Sequence, residues 1–515
     1  MTTAMTTAMT TVNTAAWCRA ALLAGALGAA TFLGDHGVAS AAPTEGRETT
    51  SGSAGPARSS VSATRTSGTG APKTATARSS LRTVATATAL KAGPPAVPAP
   101  GPLRSYLLAG QAYIYGYPLL EFERFRSGVP SLNTLSSLTT FAKPDIVPIW
   151  RPNTDTLYSR AVLDLGNGPV VLSVPDMGER YYSFQLNDPY TNVAGYIGTR
   201  TTGSAAGLFA ITWDGGPQTA IADAQIISVP YRNMMLLGRT LAGDESDQQQ
   251  AITLMNQYAL TPIGSAGAPP AATPPVTGLA ALDAISAAME LNPPPARDAD
   301  QLAAMAQIGV GAGLRVDDAN LGPLSRIAAD LAVRTVAALL PVLSALNQFS
   351  TAFGNNGWAT PDPSIGDYGT DYALRAGVIY VGPWANTPRE AIYSAGLLDA
   401  DLLPLHGRNS YVLHFAPGQE PPADAFWSIT VYDANGALVA NPQDRYSVSS
   451  RRTAELVRRP DGSVDIIFSR TDPGDAGANW LPVPDAPFSA YLRMYVPRQE
   501  ALDGTWTPPP IQRRY

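Results

Sequence analysis

Two groups of polar residues in this chain have the types and spacing that chemistry requires. The first is Asn153, Asp155, Thr156, Tyr158 and Arg160, continued downstream by Asp188, Tyr190, Asn192 and Arg200. Paired carboxylates flanked by tyrosine and arginine can protonate a leaving group and orient a sugar or an ester. Asp155 and Asp188 are therefore the candidate catalytic pair, with Asn153, Tyr158, Tyr190, Asn192 and Arg200 as candidate ligand-binding residues. The distance between the two carboxylates decides which mechanism is open to them. The competing reading is structural: both aspartates accept backbone N–H groups in turns, and Arg200 pairs with one of them. A second group, Asp433, Asn441, Arg445, Tyr446, Asn479, Trp480 and Arg493, runs parallel to the first. Within it Asp433, Arg445 and Tyr446 complete the ligand-binding candidates. Aromatic and planar polar side chains on a β-sandwich suit a carbohydrate, although Trp480 reads better as a core plug.

These residues need a scaffold, and the strand pattern supplies one. Arg180-Tyr-Tyr-Ser-Phe-Gln-Leu-Asn-Asp188 alternates with period two, as a half-buried strand does. Tyr182, Phe184 and Leu186 form one face; Tyr181, Ser183, Gln185 and Asn187 form the other. The pattern returns in Ala425-Phe-Trp-Ser-Ile-Thr-Val-Tyr-Asp433, where Ser428 aligns with Ser183 and Asp433 with Asp188. Val170–Pro175 and Tyr411–Pro417 precede the two copies, and Gly207–Thr212 and Gly462–Phe468 follow them. The order implies a duplicated β domain, because a repeat longer than about 50 residues is a domain and not a solenoid unit. Short strands at regular spacing through 161–229 and 410–496, separated by Gly, Pro and Asp turns, predict sandwiches or barrels. Helical spacing marks 103–126 and, between the two β regions, 244–353. On this scaffold chemistry is expected at strand ends, where Asp188 and Asp433 meet loops, and not on the strands themselves.

The N-terminus reads as an address followed by a tether. Arg19 precedes the apolar run Ala20–Gly34, and Ala39-Ser-Ala41 gives a small-x-small cleavage pattern. Cleavage after Ala41 is expected, leaving no transmembrane span, with an uncleaved anchor as the alternative. Residues 42–102 are rich in Ser, Thr, Ala, Gly and Pro, a composition that cannot offset the entropy of ordering. The resulting location is secreted or extracytoplasmic, associated with the cell wall or membrane. Cleavage would also remove Cys18 and His36, leaving only His406 and His414. That count excludes a cysteine nucleophile, a cysteine–zinc site and a three-histidine metal site, so no metal and no cofactor are expected. His414 lies in the alternating stretch Tyr411–Phe415 and reads as a packed strand histidine. The chain carries a net charge of −6 although 42–102 is basic, so the body beyond is strongly acidic and lacks a nucleic-acid footprint. No Gly-x-Ser-x-Gly elbow and no Gly-Lys-Ser/Thr phosphate loop can be placed.

Several motifs together resemble a known pair of bacterial families. Arg151-Pro-Asn-Thr-Asp-Thr-Leu-Tyr-Ser159, the Arg180 strand, Asp188-Pro-Tyr-Thr-Asn192 and Ile197–Gly203 resemble domain-of-unknown-function 1254. Phe426–Asp433, Asn441–Ser447, Asn479–Pro482 and Leu492–Pro497 resemble its companion, domain-of-unknown-function 1214. The resemblance implies tandem (double) jelly-roll β-sandwiches, similar to double jelly-roll capsid proteins, and implies no activity. The expected organisation is a signal peptide (1–41), a tether (42–102), an N-terminal β-sandwich (103–243), a helical insert (244–360) and a C-terminal β-sandwich (361–515). Two functions follow as expectations. One is binding or hydrolysis of an extracellular small molecule or glycan in an Asp/Tyr/Arg pocket. The other is a structural or assembly module, a homo-oligomer without catalysis.

Overall fold

A computed structural model describes residues 99–144, 151–217, 219–243, 245–451, 456–475 and 478–515. The leader and nearly all of the tether lie outside the described residues, as do parts of 141–150 and 454–457.

The chain is mainly β, with four sheets and several helices. The first half contributes β1 (Ser136–Leu138), β2 (Thr156–Asp164), β3 (Val170–Val174), β4 (Tyr182–Asn187), β5 (Val193–Gly198), β6 (Gly207–Trp213), β7 (Ala224–Val229), β8 (Asn233–Leu241) and β9 (Ala259–Pro262). The second contributes β10 (Trp358–Ala359), β11 (Ala391–Gly396), β12 (Ser410–Phe415), β13 (Ala423–Asp433), β14 (Ser447–Ser449), β15 (Val464–Ser469), β16 (Asn479–Pro482), β17 (Phe488–Pro497) and β18 (Gln512–Arg514). The sheet orders β1-β2-β8-β4-β5 and β7-β6-β3-β9 recur as β10-β11-β17-β13-β14 and β16-β15-β12-β18. Each half includes one parallel pair, β6 with β7 and β15 with β16. In each half both sheets feed one apolar core: Phe184 and Leu236 meet Leu172 and Ile211, and Ile429 and Leu492 meet Leu413 and Ile466. Burying both inner faces against each other makes each half a β-sandwich.

The duplication extends to register. Ser183 lies opposite Arg239 and Tyr158 lies opposite the same arginine. In the second half Ser428 and Tyr393 both lie opposite Arg493. The alignment of Ser183 with Ser428 therefore holds residue for residue, and Arg239 and Arg493 hold equivalent places on the central strands. β8 is buried at all nine positions. Its Gly238 admits the Phe184 ring: a Cβ there would lie 2.6 Å from it.

Helices close the two halves. α1 (Pro102–Ser127) begins with proline at its first turn, where the missing N–H costs nothing, and ends with Arg124 and Arg126 against the negative helix end. Pro118 stands inside α1, which continues through it. α2 (Glu245–Met255), α3 (Gly278–Leu291), α4 (Ala299–Ala306) and α5 (Pro323–Phe353) follow β8, and α6 (Tyr372–Val381) leads into β11. A one-turn α7 (Gln499–Leu502) precedes the final strand. Leu119, Ile285 and Val333 share one helical core.

β4 departs from the half-buried pattern. Tyr182, Phe184 and Leu186 face the sandwich core, yet Ser183, Gln185 and Asn187 are also buried. Their face is covered by the second sandwich and by the segment between α6 and β11. The two five-stranded sheets thus meet across a seam of polar and aromatic side chains.

Candidate functional site

The seam is built from residues that period two turns away from the sandwich cores. Asp155 and Glu390 each stand one residue before the first long strand of their half and reach across to the other half. Ser428 Oγ donates to Asp155 Oδ2 at 2.5 Å. Glu390 Oε1 accepts from Tyr181 Oη at 2.7 Å, and Glu390 Oε2 pairs with Arg200 Nε at 2.6 Å. Asn153 Nδ2 donates to Tyr495 Oη, and its Oδ1 takes the Asp155 N–H. Burial pushes Tyr181, Tyr393 and Tyr495 above the ordinary tyrosine value, so the seam hydroxyls stay neutral.

Arg493 donates to Thr430 Oγ1, Tyr432 Oη and the Arg151 carbonyl. Arg239 donates to Gln185 Oε1 at 2.7 Å, to Asn386 Oδ1 at 3.0 Å and to the Trp384 carbonyl at 3.3 Å. Gln185 in turn donates to Asn187 Oδ1 and the Ala385 carbonyl, so these residues form one connected network. Among the described residues, Arg239 Nε, Asn187 Nδ2 and Trp384 Nε1 in this network have no partner. Buried donors are rarely left so. Trp384 also holds a φ of +57°, a conformation bulky residues adopt only when their surroundings enforce it. Its ring packs edge-on against Phe125 of α1. Around this network Tyr158 and Tyr393 keep part of their surface uncovered, while their strand neighbours Leu157, Ser159, Ile392 and Ser394 are buried.

The predicted acid–base pair is not brought together. Asp155 lies beside the Tyr181 end of β4, because Ala242 N–H bonds the Asp155 carbonyl and Leu241 N–H bonds the Tyr181 carbonyl. Asp188 lies past the opposite end of the strand. Seven steps of extended chain lead from Tyr181 to Asp188, or roughly 20 Å at the rise of a strand. Glycosidase carboxylates stand about 5–10 Å apart, so this pair does not have that geometry.

Asp188 instead fixes its own turn, accepting the Asn192 N–H and Nδ2–H at 2.9 Å each. Burial raises its carboxyl to about 6, against the pull of those bonds and of Arg375. Tyr190 is buried and donates to the Asn292 carbonyl. It belongs with Tyr115 and Tyr372 to an aromatic cage around Arg375, whose guanidinium carbon lies 5.0 to 5.4 Å from the three ring centres. Asp433 likewise organises a turn, accepting from the N–H groups of Asn435 and Ala437. Asn441 brackets the backbone of Arg445, and Tyr446 donates to Asp444. Trp480 is a buried plug that donates to the Ser469 carbonyl. Asn153, Asp155, Tyr158 and Arg200 therefore meet at the seam; Asp188, Tyr190 and Asn192 form a second cluster; Asp433, Arg445 and Tyr446 form a third.

His414 is half exposed and bonds Asp465 through Nδ1, at directly opposed positions of β12 and β15. It is not packed as the alternation implied, because that face of the sheet is open.

The seam residues that sequence reasoning passed over are Arg239, Trp384, Asn386, Glu390, Tyr393 and Tyr495. One signal was present: Arg239 is the lone charge in the apolar run Met234–Leu241. A lone charge in a central strand needs buried partners, and such residues gather at sites.

Residues 132–262 match the family described as a protein of unknown function, DUF1254, and residues 390–499 match the one described as a protein of unknown function, DUF1214. Both resemblances hold, in the order expected. The VPA0106 protein from Vibrio parahaemolyticus has a similar crystal structure, with a TM-score of 0.61 at 24% identity. The similarity covers 80% of this chain and all of that one. A putative uncharacterized protein from Burkholderia cenocepacia matches with a TM-score of 0.40 at 14% identity, over 80% of this chain and 94% of that one. No curated protein matches the chain.

Proposed function

We propose that the protein binds a small molecule in the seam between its two sandwiches. The observation that carries this reading is the set of three unpartnered buried donors, Arg239 Nε, Asn187 Nδ2 and Trp384 Nε1, within one hydrogen-bonded network. All three are donors, so the molecule must present acceptors. Tyr158, Tyr393 and Trp384 supply aromatic surface for a flat apolar or sugar body. Binding is favoured over hydrolysis because Asp155 and Asp188 lie at opposite ends of a strand and both are committed to structural hydrogen bonds. The location proposed is outside the cytoplasm, on the strength of the apolar leader and the Ala39-Ser-Ala41 pattern. Tandem jelly rolls remain the proposed finer topology, supported by the repeated two-sheet packing.

The test is crystallisation of the full chain from solutions containing small acids, sugars and aromatic alcohols, with heat-denaturation shifts as a screen. Density bridging Arg239 and Trp384 is expected. Saturation of the screen with no stabilising compound and no density at the seam would refute the reading.

A second reading, assembly into a homo-oligomer, is favoured by one observation. α5 leaves Leu324, Ile327 and Leu331 more than half exposed, at i, i+3 and i+7 on one face. Light scattering decides it: a monomer at all accessible concentrations, unchanged by Ile327→Asp, removes this reading.

A further inference from the structure

The two buried carboxylates of the seam each have a cation close by. Glu390 is buried and paired with Arg200. Asp155 is buried and bonded by Ser428, which lies directly opposite Arg493 in the sheet. Burial works against the Arg493 charge, but Tyr432, Tyr495 and Asp155 favour it and prevail. Around Arg239 the tyrosines Tyr393, Tyr158, Tyr495 and Tyr181 favour the charge in the same way and also prevail over burial. Among the described residues no carboxylate pairs with Arg239, and every acceptor it reaches is neutral: an amide oxygen of Gln185, one of Asn386 and the Trp384 carbonyl. The residue is nevertheless only 5% exposed, within a nine-residue buried strand. A buried cation surrounded only by dipoles is a poor final state, because neutral acceptors replace its hydration without cancelling its charge. The unused donors beside it ask for oxygen, and the unbalanced charge asks for a single negative one.

We propose that the molecule held at the seam is a small monocarboxylate, with Arg239 as the residue that reads its carboxylate and Asn187 and Trp384 as neighbouring donors. This rests on the seam being a binding site, and it narrows the ligand to an organic anion over a neutral sugar or alcohol. A planar carboxylate offers two oxygens to a guanidinium edge, the geometry arginine recognises best. The body attached to it lies against the rings of Tyr158 and Tyr393. In the closed arrangement the three donors are sealed from solvent. Entry therefore requires the segment around Trp384 to swing away, and its positive φ marks that segment as held in place by packing.

Matched pairs differing only at the acid separate this inference from the one beneath it. Benzoate is compared with benzamide, and glucuronate with glucose, by calorimetric titration of the full chain, with the tighter partner of each pair soaked into crystals. The expected result is that at least one acid binds ten times or more tightly than its neutral partner. Its carboxylate should lie on Arg239, and Arg239→Gln should abolish the preference. Trp384→Phe, which keeps the ring and deletes one donor, should weaken the acid several-fold if Arg239→Gln does not fold. Equal affinity for acid and neutral partner at the seam overturns the carboxylate assignment and leaves the binding site standing. An acid that binds elsewhere, with the seam empty, overturns the assignment. Failure of every compound to bind at the seam overturns both.

Discussion

Ser183 and Ser428 occupy the same place in the two sandwiches, each opposite an arginine, yet removing their hydroxyls should have unequal effects. Ser428 Oγ donates to the Asp155 carboxylate at 2.5 Å, and no other side chain among the described residues donates to that carboxylate. Asp155 is 2% exposed, so Ser428→Ala leaves a buried anion short of its donor, a loss of about 1.5–3 kcal/mol for a hydrogen bond to a charged group. Ser183 Oγ accepts from Tyr181 at 3.1 Å, but that hydroxyl has a single proton and a closer, charged acceptor in Glu390 at 2.7 Å. Ser183→Ala therefore removes a secondary contact and should cost under about 1 kcal/mol. Urea unfolding of the two variants, read as midpoint shifts at unchanged slope, compares them directly. Adding Asp155→Asn completes a double-mutant cycle, in which coupling to Ser428 should be about 1–2 kcal/mol. Equal costs at the two serines, or a coupling within error of zero, would show that the seam does not use Asp155 as a charged acceptor.

Other consequences are equally direct. Asp188 has its carboxyl raised from 3.8 to about 6 by burial, so the folded state holds its proton where the unfolded chain has released it. Stability from this group is complete below the unfolded value and is lost as pH rises through about 6, by roughly 3 kcal/mol at 1.36 kcal/mol per unit; unfolding of wild type against Asp188→Asn between pH 4 and 7 should show the variant gaining ground, and a constant difference would contradict the assignment. Gly238→Ala puts a Cβ 2.6 Å from the Phe184 ring and should destabilise by about 1–3 kcal/mol through overpacking; an unchanged melting curve would mean the strands can part. Arg375→Met removes a buried guanidinium that makes no ion pair among the described residues but pulls on the Asp188 carboxyl; below about pH 6, where that carboxyl is neutral, stability should hold or rise, whereas a loss above about 3 kcal/mol there would show the cation to be required.

The alternation of Arg180–Asp188 was enough to identify β4, its core face and its twin β13, because period two survives in a strand whose inner face meets a second sheet. It could not reveal that the outer face is buried too. Ser183, Gln185 and Asn187 are polar because they meet another polar face, and in sequence that is indistinguishable from meeting water. β8 escaped notice for the opposite reason. Buried on both sides, it reads as an apolar run with no period, and β11 is hidden in the same way. Strands of this kind lie inside their sheets with a neighbour on each side, and they carry residues of the seam, here Arg239 and Tyr393.

The aspartates were conspicuous for the same reason that they turned out to be committed. Asp188 and Asp433 precede loops, and a carboxylate at a loop entrance most readily bonds the N–H groups that the strand has just released. Asp155 bonds a partner 273 positions away, Ser428, that no local pattern points to. Duplication explains why that partner exists. Two copies of one sandwich meeting face to face place equivalent strands opposite each other, so Asp155 and Glu390, equivalent in sequence, each cross to the other copy. The copies then diverged at one point. Ser428 bonds its carboxylate directly, whereas Ser183 reaches Glu390 only through Tyr181, which stands where the second half has Phe426. Glu390 is drawn outward to Arg200 as well, and Arg239 is left without the acidic neighbour that Arg493 retains. The asymmetry confines the unbalanced charge to one end of the seam, beside Trp384, where a ligand of opposite charge would complete what the second copy supplies from within.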